Sequence, residues 1–469
     1  MPVESHTPTT EPPASRLDRW GFRRVLTLIV AVGAAWRYGY LFIVKRHQGL
    51  LLNDSLYYSW QGYQLAHGTY FKDLFGVREA AEHGPFTSIV LAPVSWGSHV
   101  VFQQRIATAT LGVATIALIG ILGRRVGGAR VGLVAAAIAA AYANLWINDG
   151  LVMSESLGAL LVTLILLALL AMLDRPNLRR AALVGVLFGL AVLTRSELIL
   201  AAPIAAVVIW RWVSPRRDAV RLVLAMGAAT VLVIAPWVIY NMSRFQENVL
   251  LSTNDGTTLI GANCPETYSS SGHALGGWSL YCVLDVQGPA GADDSVRSSI
   301  QRRTALSYAK HHVTRLPLVA IARLGRGADL YQVDNLVHQD IGEEKAKWAA
   351  WAGVISWWVL APLAGFGLAR ANRRAASVLL VPVALVAVTC VAFYGAHRLR
   401  LPMEPVVVVG AAVFLCSLAQ RRHDHPGDAG LAGSGEGVVV GPNGDGAVGA
   451  TVVPPQAGLV DGAVGAEEA

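Results

Sequence analysis

One carboxylate, Asp54, stands in the stretch Asn53-Asp54-Ser55-Leu56-Tyr57-Tyr58, just past a hydrophobic run and at the head of a long polar segment. A carboxylate at such an address can take a proton from a hydroxyl or an amine. Other ionisable residues break the apolar pattern at comparable places. Glu82 and His83 follow in the same segment, Asp149 and Glu155 lie where two hydrophobic runs meet, Arg195 and Glu197 separate two more, and His397, Arg398, Arg400 and Glu404 come near the end. Ionisable groups at membrane depth are costly, so several gathered toward one face suggest a site. Each has a plain structural reading: Asp54 as a helix cap, Glu155 as the partner of a helix N-terminus, Arg195 as a snorkelling interfacial side chain. Taken jointly those readings weaken, because acids and arginines mix on this face while the opposite face carries arginine clusters with few acids.

The elements that must position these residues follow from composition. The chain has 469 residues, 54% hydrophobic and only 15% charged, with a mean hydropathy of +0.47 and apolar runs long enough to cross a hydrocarbon core. This is an all-α polytopic membrane protein. Ten runs fall near residues 25–44, 99–122, 131–147, 152–173, 181–194, 198–212, 220–241, 348–369, 375–394 and 403–419. The net charge of +7 does not argue for nucleic acid, because the arginines cluster between apolar runs, where they orient helices. With ten spans, Arg23 and Arg24, Arg124 and Arg125, Arg179 and Arg180, Arg216 and Arg217, Arg373 and Arg374, and Arg421 and Arg422 all fall on one side. The positive-inside rule makes that side cytoplasmic, with residues 1–24 a leader and the first run a signal anchor.

The organisation expected is then a transmembrane module over 25–242, an outer loop at 45–98 within it, a second outer region at 243–347, and C-terminal helices over 348–420. Loops of that size carry function. The first opens with an Asn-Asp-Ser cap and spaces Leu56, Trp60, Tyr63 and Gln64 as an interfacial helix would. The second holds Cys264 and Cys282, a pair that favours a disulfide outside the cell, two free thiols being the alternative. Only His273 lies between them, which argues against a metal there. Residues 421–469, rich in Gly, Ala, Val and Pro, read as a disordered cytoplasmic tail.

The chain has no Walker A segment, no dinucleotide-type glycine turn and no Asp-x-Asp, so nucleotides and nucleotide sugars are poor candidates for a direct substrate. A lipid phosphate fits better: its tail dissolves in the bilayer and arginine forks hold its phosphate.

In order and placement, several segments resemble the GT-C membrane glycosyltransferases, in the branch similar to aminoarabinose transferases and protein O-mannosyltransferases. They are the Asp54 stretch, Glu82-His83-Gly84-Pro85-Phe86 through Leu91-Ala92-Pro93, Met153-Ser154-Glu155-Ser156, Leu193-Thr194-Arg195, and His397 through Pro405. The resemblance covers roughly residues 20–420. It implies a GT-C fold of about ten transmembrane helices, with interfacial helices in the first outer loop and a small extracytoplasmic segment. It also implies sugar transfer from a polyprenyl-phosphate donor to an envelope glycan, lipid or protein, with inversion, outside a bacterial cytoplasmic membrane. Asp54 would be the general base. Arg398, Arg400 and Arg195 would hold the donor phosphate, and Glu155, His83, Tyr57, Glu82 and His397 would contact substrate. The chain departs from the pattern in two places: Ser55 replaces a second acid, and Gly84 replaces the first Pro of a His-Pro-Pro segment. The missing acid leaves no required cofactor, with a divalent metal still open. A transporter or flippase of a lipid-linked substrate is the alternative; it would show broken spans and internal repeats, which the sequence lacks.

Overall fold

The computed structural model describes residues 16–424 apart from 52, 53, 76 and 271–273, so most of the expected leader and tail, Asn53 and His273 lie outside the described residues. Among those described there is no strand, only an isolated antiparallel bridge between Lys72 and Glu79. The chain begins with α1 (Arg16–Tyr40), continued by a π-helical turn to Lys45. Two short helices follow, α2 (Asp54–Ala66) and α3 (Phe86–Leu91). Next come α4 (Val100–Ala141), α5 (Ala143–Asp149), α6 (Glu155–Asp174), α7 (Leu178–Thr194), α8 (Ala201–Trp212) and α9 (Arg216–Met242). Residues 243–346 build six short elements, α10 (Asn254–Ala262), α11 (Pro265–Tyr268), α12 (Leu280–Leu284), α13 (Asp294–His311), α14 (Leu316–Gly327) and α15 (Val333–Gly342). The chain then returns to long helices, α16 (Lys347–Arg370) and α17 (Arg373–Ala392), and ends with α18 (His397–Arg400) and α19 (Glu404–Asp424).

Seven helical segments are long and apolar enough to cross a membrane, against the ten runs read from sequence. The difference has three sources. α4 is one continuous helix only by name, because Gly127 and Gly128 leave helical geometry and Gly128 takes φ 86°. That conformation suits glycine, and it folds the chain back so that residue 120 packs on Ala136, positions a straight helix would hold about 24 Å apart. Two expected runs are thus the antiparallel limbs of α4. The other two are α7, with 17 residues, and α8, with 12, both short for a span of about 20 residues.

Helix starts follow local chemistry. Asn177 caps α7 by accepting from Arg180 N, and Asn372 caps α17 by accepting from Arg374 N, satisfying amides that no helical carbonyl can reach. The largest core runs through α4, α6 to α9, α17 and α19, with Ile119, Leu166, Phe188, Ile209, Leu385 and Val408 buried in it. The two long connecting regions meet at one end of this bundle. Thr253 N donates to Ala81 O at 2.7 Å, and Arg244 clasps the earlier loop through Phe71 O, Ala80 O and Glu79.

Candidate active site

Asp54 is the first residue of α2, and its carboxylate meets two partners from distant parts of the chain. Oδ2 accepts from an Arg398 guanidinium nitrogen at 2.6 Å, and Oδ1 lies 3.2 Å from His83 Nε2. Burial pushes the Asp54 carboxyl upward, but the charges and hydrogen bonds of Arg398 and His83 outweigh it and hold the group well below the usual carboxylate range. His83 shows the reciprocal effect: burial lowers its imidazole, the Asp54 charge more than offsets that, and the net shift is upward.

His83 is held in place from two sides. Its ring stacks on Tyr58 at 5.0 Å and meets the edge of Tyr57 at 5.3 Å. The next residue, Gly84, runs so close to the end of α7 that a Cβ there would fall 2.2 Å from Leu193 O. A proline could not make that approach, which gives the sequence departure at Gly84 a steric reason. Glu82 points to solvent beside it, and the buried hydroxyl of Tyr57 makes no hydrogen bond among the described residues.

Glu155 opens α6, and Arg195 follows the last residue of α7. Arg195 donates to Glu155 at 2.8 Å and to Glu197 at 2.6 Å, and reaches Ser154 Oγ at 3.4 Å. Glu155 Oε1 also lies 3.4 Å from Arg398, while its Oε2 is buried without a partner among the described residues. A third carboxylate, Glu343, approaches Arg398 at 3.4 Å from the turn after α15. Asp54, His83, Glu155, Arg195 and Arg398 thus come together, as their order along the chain suggested.

Arg400 does not join them. Positions two apart on a helix point in nearly opposite directions, and Arg400 turns into the protein, donating to Asp329 and Glu404 at 2.8 Å each and lying 3.9 Å over the Trp357 ring. His397 is likewise spent within the protein, 2.6 Å from both Asp329 and Asp340. Glu343 and Lys345, which bonds Asp340 at 2.6 Å, were missed by sequence reasoning. A signal was present: Glu343-Glu344-Lys345 are three consecutive charges at the foot of α16, in a chain with five lysines. Cys264 and Cys282 form a disulfide.

The carboxylates do not converge on a space for a cation. Asp54, Glu155 and Glu343 surround the Arg398 guanidinium, which supplies the positive charge at their centre, and no group of three or more His, Cys, Asp or Glu side chains among the described residues is arranged for a metal. A small apolar gap lies between α6, α7, α8 and α17, lined by Val162, Ile165, Phe188, Leu198, Pro382 and Leu385 among others. Val162 is two turns along α6 from Glu155, and Leu198 is three residues from Arg195.

Residues 93–240 match the family model described as dolichyl-phosphate-mannose-protein mannosyltransferase, a stretch that includes Glu155 and Arg195 but neither Asp54 nor Arg398. Among solved structures, the archaeal oligosaccharyltransferase AglB from Archaeoglobus fulgidus, in complex with an inhibitory peptide and a dolichol-phosphate, aligns with TM-score 0.54 and 14% identity over 89% of this chain and 53% of that one. The apo form of the Archaeoglobus fulgidus enzyme gives 0.53 and 14% over 88% and 52%. The fold is that of the GT-C superfamily. ArnT from Cupriavidus metallidurans bound to undecaprenyl phosphate is a looser likeness, with TM-score 0.40 and 15% identity over 88% of this chain and 80% of that one. The chain spans about half the length of the archaeal protein, and no curated protein matches it. In GT-C terms, the charged cluster sits where the loops and the ends of the membrane helices meet, with both long connecting regions contributing to it.

Proposed function

We propose that this protein is a glycosyltransferase. It takes a sugar from a polyprenyl-phosphate donor and passes it to an envelope glycan, lipid or protein on the outer face of a bacterial cytoplasmic membrane. The observation that carries this reading is the Asp54–Arg398 pair at 2.6 Å, which joins the start of α2 to α18 and sets a carboxylate base beside a guanidinium. AglB, which shares the fold, holds a dolichol-phosphate in its structure, a ligand of the same chemical kind.

In the reaction, an acceptor hydroxyl or amine forms a bond to the anomeric carbon as the bond from that carbon to the phosphate oxygen breaks. The electron pair leaves with the polyprenyl phosphate, and Asp54 takes the acceptor's proton. Arg398 meets the charge that grows on the phosphate. Asp54 and the donor phosphate compete for the Arg398 guanidinium, so a phosphate that takes part of it lets the carboxylate regain basicity. Arg195, anchored by Glu155 and Glu197, supports the positive field from the side. Arg400 and His397 are satisfied within the protein by Asp329, Asp340 and Glu404 and belong to the scaffold.

Asp54→Asn keeps the size of the side chain and removes the base. Membranes carrying this variant should contain normally inserted protein and lack sugar transfer, measured as the glycosylated product that disappears when the gene is deleted. Transfer at the wild-type rate would sink the assignment.

A further inference from the structure

The geometry points to Glu344 as a positioning residue for this transfer, resting on the reading above: its buried carboxylate fixes the first turn of α2 and so aims Asp54 at Arg398. Glu344 is 2% exposed, and every oxygen it has is used. Oε1 accepts from Leu51 N at 3.0 Å and from Ser55 Oγ at 2.5 Å, contacts that bracket Asp54 in sequence. Oε2 accepts from Arg105 at 2.9 Å, and the backbone carbonyl accepts from Lys45 Nζ.

Arg105 is itself anchored, donating to Lys45 O at 2.7 Å and Gln48 O at 2.6 Å. The start of α4, the segment just ahead of α2 and its first turn therefore share one carboxylate, and the end of the first membrane helix is tied to the same residue through Lys45 and the Glu344 carbonyl. On its other side, Glu344 is bonded to Glu343, which reaches Arg398 at 3.4 Å. A closed ring results: Asp54 to Arg398, Arg398 to Glu343, Glu343 to Glu344, Glu344 to Ser55, and back to Asp54. Base and phosphate-binding guanidinium are thereby set in one frame.

The backbone supports this role. Glu344 adopts φ 68°, a left-handed conformation that is costly for a residue with a Cβ and that gathers at functional sites. In this position the turn sends Glu343, Glu344 and Lys345 to three different partners: Arg398, the Arg105–Ser55 pair, and Asp340.

Glu344→Gln puts an amide donor against either Arg105 or Ser55, so the ring loosens while side-chain volume is kept. Two readouts separate positioning from general damage: binding of undecaprenyl phosphate to purified protein in nanodiscs, and product formation by membranes of a deletion strain carrying each variant. In Glu344→Gln, product formation should fall at least roughly tenfold, as misplacing a reacting group does, while undecaprenyl phosphate affinity stays within about threefold. The acid limb of the pH–rate profile should move upward, because Asp54 loses part of its contact with Arg398. Ser55→Ala should show the same pattern at about threefold, the worth of a single hydrogen bond.

Wild-type product formation in Glu344→Gln overturns the proposal, as does an equal loss of both readouts with the acid limb unmoved. If Glu344→Gln does not purify as a monodisperse protein, Ser55→Ala decides by the same criteria. Product formation retained in Asp54→Asn, or phosphate affinity retained in Arg398→Gln, would instead sink the underlying function. An inactive Asp54→Asn beside a wild-type Glu344→Gln sinks the positioning role alone.

Discussion

Arg398 and Arg400 leave the same four-residue helix two positions apart, and their surroundings differ in kind. The Arg400 side chain is 1% exposed and satisfied by Asp329, Glu404 and the Gly327 carbonyl, with Trp357 covering its face. The Arg398 side chain is 18% exposed and faces three carboxylates at 2.6, 3.4 and 3.4 Å, more negative charge than one guanidinium can neutralise. A fully enclosed cation with matched partners is part of the scaffold. A partly accessible one with competing partners can change hands, and a phosphate is the ligand that would compete best for it.

The test with the largest expected effect is on the scaffold side. Arg400→Ala leaves Asp329 and Glu404 buried without their cation, a change that costs about 3–5 kcal/mol. It should appear as a large drop in the thermal unfolding temperature of the purified protein, while the molecules that remain folded turn over at close to the normal rate. A stable Arg400→Ala protein with abolished transfer would reverse the roles assigned to the two arginines.

Arg398→Gln should give the opposite pattern. Loss of one charge-stabilising donor lowers turnover by about 10²–10³-fold, whereas Asp54 and Glu343 are partly open to water and Glu155 keeps Arg195, so the stability loss should be smaller than at Arg400. The pH dependence should change as well. In the free wild-type protein Asp54 is held well below the ordinary range by Arg398 and His83 against the effect of burial, so kcat/KM persists into acid and is lost only as pH falls through that depressed value. Removing Arg398 takes away the larger of the two charges opposing burial, and the acid limb should climb toward the ordinary carboxylate value of about 3.9 or beyond. An unmoved limb would mean that Asp54 is not the group being titrated.

The same pair of arginines marks how much could be read from the chain. Hydrophobic runs bounded by charged connections identify long helices, because the bilayer imposes length and apolarity together. Asp54, His83, Glu155, Arg195 and Arg398 could be recognised as a group because the first two lie in the first outer loop and the others near the ends of runs, all on one side of the bundle. The facing of residues two apart could not be recognised in His397-Arg398-Leu399-Arg400, since whether that segment is helical depends on its packing against α14 and α17. Glu343 escaped for a related reason: the turn that carries it is placed by Glu344 and by contacts with residues far away in sequence. At Gly127-Gly128 the sequence reading of two runs matches two limbs folded into a close hairpin, whereas α7 and α8, read as runs, are shorter than a full span.

The smallest expected effect sharpens the comparison most, because it probes competition rather than loss. Glu343 lies 3.4 Å from Arg398, with its own side chain 20% exposed and a second partner in Lys345 at 3.1 Å. An ion pair so accessible contributes about 0–1 kcal/mol. Glu343→Gln should therefore cost little stability and should tighten undecaprenyl phosphate by up to about fivefold, because one of three carboxylates no longer competes for the guanidinium. The corresponding change beside Arg400, Glu404→Gln, has no competing ligand to favour and should only destabilise the protein. If Glu343→Gln weakens phosphate binding instead, Glu343 holds Arg398 toward the ligand rather than away from it, and the picture of a guanidinium that changes hands fails even though Asp54 and Arg398 remain essential.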